Sequence, residues 1–249
     1  MTLPDAPDGA GPIRPVAAGR IREGSGGVAG NERLTALAGA ILLALILVEL
    51  ATTVRLHALI SVHVFVGVLL AGPLVIKFGS TGYRFVRYYT RSPAYVRRGP
   101  PRLALRVLAP ALVVTTVTLI GSGIGLLVVG PGQETPLLRL HALSTLIWIP
   151  LLAIHAVAYF PRVPRLVTED WSAPSTATEP RQCGRELRLS ANVGALLGGV
   201  IAAILLLPVA TPWNSWIMTN GNNGPAGPLV VGLLIAALAL LMVRPLRWK

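Results

Sequence analysis

The chain has 249 residues, 53% hydrophobic and only 13% charged, the latter about half the share in an ordinary soluble domain. Its 22 basic residues against 10 acidic ones give a formal net charge of +12. The apolar content excludes a disordered chain, and the single cysteine, Cys183, excludes an internal disulfide framework. A basic excess of this size first suggests nucleic acid, so the placement of the charges has to decide.

Residues 1–33 are rich in Gly, Pro and Ala and carry no apolar period, which predicts a disordered tail. A lead of 33 residues is too long for a signal peptide. Six apolar stretches follow, at 34–54, 56–78, 107–129, 140–160, 191–210 and 229–243. A membrane-spanning helix needs roughly 20 mostly apolar residues, with a range of about 17–25. The sixth stretch is the shortest and needs Gly227 and Pro228 to approach that length. These runs are continuous and too long for barrel strands.

The expected fold is therefore all-α, a polytopic membrane bundle of six transmembrane helices. A four-helix core of two hairpins spans 34–165, a polar cytoplasmic loop with Cys183 spans 166–190, and a two-helix extension spans 191–249. Pro73 and Pro150 should kink the second and fourth spans, and Gly194 with Gly198 gives the fifth a face for close packing, within the chain or in a homodimer. The uncharged segment 214–228 is expected as an outer loop.

Sorted by loop, 20 of the 22 basic residues fall on one side of the six spans, leaving only Arg55 and Arg139 on the other. Positive residues stay in the cytoplasm. That places both termini inside a bacterial cytoplasmic membrane, names the lipid bilayer as partner and removes nucleic acid. Trp213, Trp216 and Trp248 read as interfacial anchors. The segment 83–89, mixing Tyr, Phe and Arg, reads as a basic loop drawn to anionic lipid, with a short interfacial helix as the alternative.

The four histidines, His57, His63, His141 and His155, all lie in the second and fourth spans. Ionisable groups inside a membrane are expensive and point to function. These two spans run in the same direction, and two histidines on facing helices can clamp a haem iron. Arg55-Leu56-His57-Ala58-Leu59 repeats as Arg139-Leu140-His141-Ala142-Leu143, 84 positions on, which puts His57 and His141 at one depth. His141 is the expected ligand, with His63 or His57 opposite. Gly67, one turn from His63, and Gly121 with Gly125 would leave room for the porphyrin, and Arg55 and Arg139 would pair with its propionates. His155 lies 14 residues past His141 on nearly the same face, but its equivalent in the second span is Ala71, so one haem is the expectation and two the stretch. Helix–helix hydrogen bonding to Ser61, Ser144 or Thr145 is the plainer role for any single histidine. Glu49 reads equally as a buried relay or quinol contact, or as an interfacial partner of Arg55.

His63 followed by Gly67 and Lys77, then Gly79-Ser80-Thr81-Gly82-Tyr83-Arg84-Phe85 and Arg87-Tyr88-Tyr89, resembles bacterial b-type cytochrome membrane proteins. Pro93-Ala94-Tyr95 with Gly99-Pro100-Pro101 is similar to actinobacterial members of that group, and Leu140-His141, Trp148 and His155 are similar to their fourth-span motif. The resemblance covers about residues 55–160. It implies a bundle binding haem b, with His63, His141 and His155 at the family's histidine positions. It also implies electron transfer with quinone and with an outer-face oxidoreductase partner such as a molybdopterin enzyme. Ala71 departs from the di-haem pattern. The alternative function is a non-redox transporter or assembly scaffold, its histidines serving packing or proton coupling.

Overall fold

The computed structural model describes the backbone of residues 16–99, 103–132, 135–171, 181–220 and 226–243. Every regular element among them is helical. Helix α1 is Val16–Val54, α2 Leu56–Leu69, α3 Ala71–Tyr89, α4 Pro93–Arg98 and α5 Leu103–Val129. Helix α6 is Thr135–Tyr159, α7 Val163–Trp171, α8 Arg181–Leu206, α9 Thr211–Asn220 and α10 Ala226–Val243.

Among the described residues five helical stretches are long and apolar enough to cross a membrane: Gly27–Val54, Leu56–Tyr89, Leu103–Val129, Pro136–Thr168 and Gly184–Thr219. The sixth apolar run forms α10, whose Leu229–Leu241 segment falls below that length. Large apolar side chains such as Val75, Val128, Leu205 and Leu234 are exposed. In water such a surface is unfavourable; against acyl chains it has no such penalty. The chain is a multi-pass membrane protein of all-helical fold.

Several boundaries differ from the sequence reading. Residues 16–33, expected within the disordered tail, belong to α1, while 1–15 lie outside the described residues. The polar residues there have tertiary partners: Asn31 Nδ2 donates to Ser80 O at 3.0 Å, and Arg98 grips Glu32 with bonds of 2.9 and 3.0 Å. The segment 83–89 is helical, the end of α3, rather than a loop. The loop expected over 166–190 is partly helical, and Cys183 falls in α8. Residues 214–220, expected in an outer loop, complete α9.

The helices form two groups with a cavity between them. Helices α1 and α3 pack together and α8 packs on α2 and α3; on the other side α6 packs on α5 and α10. Leu42 and Ile46 of α1 meet Leu70, Trp148, Ile149, Leu229 and Ala236 in the main apolar cluster that joins the groups. Trp213, expected at the interface, is instead buried beside Leu127 and Ala210, its Nε1 donating to Leu126 O at 3.1 Å.

The closest helix contact follows from Pro73. Proline has no N–H, so Leu69 O, four residues back, loses its helical donor. The hydrogen-bond ladder is interrupted at the junction of α2 and α3, although Leu70 keeps helical dihedrals (φ −56°, ψ −28°), and α8 packs on both helices. A Cβ on Gly199 would lie 2.6 Å from Leu69 O, and one on Gly72 would collide with Ala195 O. Gly194 and Gly198 face open space, so within the chain the contact face lies one residue on, at Ala195 and Gly199; the homodimer alternative concerns the face that stays open. Gly72→Ala and Gly199→Ala should each destabilise by about 1–3 kcal/mol, the usual scale of overpacking. Gly198→Ala should be near neutral. Thermal unfolding in detergent compares the three.

Candidate functional site

The cavity between the groups has a volume of about 1420 Å³ and is lined by all four histidines together with Glu49, Gly67 and Lys77. It is otherwise mostly apolar. Helix α2 brings His63 to it and α6 brings His141. Their ring centroids stand 6.4 Å apart with the planes at 84°.

Each ring is held from behind through Nδ1. His141 Nδ1 lies 3.1 Å from Leu119 O and 3.1 Å from Ser122 Oγ, both on α5. A carbonyl only accepts, and Ser122 Oγ already donates to its own helix at Leu119 O. Nδ1 of His141 therefore carries the proton, which leaves Nε2 as the bare lone pair. His63 Nδ1 lies 3.0 Å from Glu49 Oε1 and 3.1 Å from Thr52 Oγ1, both on α1. Thr52 Oγ1 donates to Glu49 O at 2.6 Å, so His63 Nδ1 is the donor here too. Among the described residues neither Nε2 has a hydrogen-bond partner.

The centroid separation equals that of two imidazoles held in line by one metal centre. Metal–imidazole bonds run about 2.0–2.1 Å and a ring centroid lies about 1.1 Å from its nitrogen, so two in-line ligands stand about 6.2–6.4 Å apart. Among the described residues no three His, Cys, Asp or Glu side chains gather as a metal cluster, so the donor set is a pair. A pair is what haem needs from protein, because the macrocycle supplies the other donors. Gly123 touches His141: a Cβ there would lie 3.2 Å from Cε1.

The other candidates fall differently. His63, six residues past His57, is the histidine whose ring stands beside that of His141. Helix α2 begins at Leu56 and α6 at Thr135, so His63 and His141 lie similarly far along their helices. Non-helical Leu59 (φ −121°, ψ 15°) further separates His57 from His63. His155 lines the cavity away from this pair, its ring 4.8 Å from Tyr159. Gly67 makes room for Glu49, whose Oε1 would lie 3.2 Å from a Cβ there. Gly121 has open space and Gly125 meets Leu137. Arg55 and Arg139 are exposed and do not line the cavity. Glu49 pairs with His63 rather than Arg55.

Sequence reading missed the partners Thr52, Ser122 and Leu119. Hydroxyl partners on a neighbouring helix were expected, but from Ser61, Ser144 and Thr145. Ser61 instead donates to Asn214 Oδ1, and the other two bond back to their own helix. Trp148 was quoted only as part of a motif; its Nε1 donates to Thr116 Oγ1 at 2.8 Å, fastening α6 to α5 beside the site.

Comparison with protein-family models, with curated proteins and with solved structures finds no match to this chain. The fold and site therefore speak for a class only: a multi-pass helical membrane protein with a histidine pair in an internal cavity.

Thr116→Val keeps the shape but leaves the buried Trp148 N–H without an acceptor. It should cost about 1–3 kcal/mol, read by thermal unfolding in detergent, with Thr118→Val on the exposed face as the neutral control.

Proposed function

We propose that this protein is a membrane electron-transfer subunit that binds haem b between α2 and α6, with His63 and His141 as axial ligands. The observation carrying the proposal is the pair of rings 6.4 Å apart, each fixed through Nδ1 with Nε2 left bare. Bound haem supplies one-electron redox chemistry. The chain orients the ligands: Leu119 and Ser122 hold His141, while Glu49 and Thr52 hold His63. Such groups behind a ligand fix its tautomer and raise its basicity. The apolar walls keep water from the site. Quinone and an oxidoreductase partner at the outer face are the exchange partners this reading assigns. All six apolar runs cross the bilayer in it, α10 with help from its flanks, and both termini are cytoplasmic.

The visible spectrum tests the haem. Protein purified after expression with haem supply should show Soret and α-band changes on adding dithionite. His141→Ala and His63→Ala should each lose the haem, whereas His57→Ala should keep it. Gly123→Leu should lower haem content, because its side chain meets His141. A dithionite spectrum without these bands refutes the haem; haem retained in His141→Ala refutes the ligand assignment.

Topology has its own check in the native Cys183. A membrane-impermeant maleimide should label it only after cells are permeabilised, and labelling of intact cells would reverse the orientation.

A further inference from the structure

The far end of the cavity carries a different chemistry. Lys77, on α3, lies 14 residues past His63, about four helical turns or 21 Å along the axis. It lines the same cavity, as do Arg84, Tyr88, Arg106 and Tyr159. Its ammonium donates to Thr35 O at 3.0 Å. An ammonium has three donors, and among the described residues no carboxylate is paired with this one. Glu32, the acid at this end, is engaged by Arg98 at 2.9 Å and Arg84 at 3.7 Å. His155, on α6, lines the same cavity. The ammonium lies against Gly39 of α1, where a Cβ would stand 2.8 Å from Nζ.

A buried cation without an anion is unfavourable, and pairing relieves it. The walls around it are apolar: Leu43, Leu47, Leu74 and Val113 among them. The ligand these features fit has an acidic head and an apolar body. At about 1420 Å³ the cavity also exceeds the roughly 300–1,000 Å³ of a usual small-molecule pocket. A carboxylate on a group ligated by His63 and His141 is too far away to serve Lys77. An anionic phospholipid, by contrast, has both the acidic head and the apolar body, and the arginines assign this end of the cavity to the cytoplasmic surface where such heads lie.

We propose that Lys77, with Arg84 and Arg106 at the mouth, binds the phosphate of an anionic phospholipid whose acyl chain enters the cavity. This site is separate from the histidine pair, and it stands whether or not haem binds there.

Purified protein in mixed micelles should be stabilised against heat by phosphatidylglycerol and much less by phosphatidylcholine. Native mass spectra should show phosphatidylglycerol retained at least tenfold over phosphatidylcholine. Lys77→Met should abolish both preferences, and Lys77→Arg should keep them. If Lys77→Met does not purify, Lys77→Gln and Arg106→Gln are read in the same way. Equal stabilisation by the two lipids overturns the proposal. So does an equal shift with inorganic phosphate, which would make the occupant a soluble anion. Lipid preference unchanged in Lys77→Met, with haem lost from the spectrum, also overturns it by assigning Lys77 to a haem.

Discussion

A bilayer offers a stranded carbonyl no water, so every break in a membrane helix must be answered by a neighbour. Pro73 makes such a break by withdrawing the donor that Leu69 O would otherwise use. Beside it α8 comes into near-contact, where Gly72 and Gly199 let two backbones approach. That crossing fixes where α2 ends and α3 begins. Through α2 it sets the position of His63, and through α3 that of Lys77. The cavity is a consequence, because α2 is drawn toward α8 while α6 is drawn toward α5 and α10.

Much of this was legible in the sequence. Long apolar runs over 34–54, 107–129 and 140–160 announce helices because nothing else satisfies their backbone in lipid. The confinement of four histidines to two runs pointed to the cavity that those residues line. What stayed hidden was phase and depth. The repeat pairs His57 with His141 by matching letters, but the ring that stands beside His141 is that of His63. The glycine stripe on α8 was off by one residue for a related reason: Gly198 and Gly199 are equally small, and only the neighbouring helix distinguishes them.

The groups behind the histidines were also out of reach. Leu119 serves through its carbonyl, which any residue type would supply, so no sequence signal marks it. Thr52 and Glu49 stand three apart on α1 and meet His63 only because α1 and α2 fold back on each other. Helical continuation before residue 34 was missed because Gly and Ala carry little apolar period. There, tertiary bonds from Asn31 and Glu32 outweigh weak local preference.

The Nδ1 anchors have a kinetic and entropic consequence. A histidine free to turn must lose its rotamer freedom when a ligand arrives, and that loss weakens binding. Here Leu119 with Ser122, and Glu49 with Thr52, restrain both rings as the chain folds. The ordering is thus complete before any guest enters, and the cavity behaves as a mould already set.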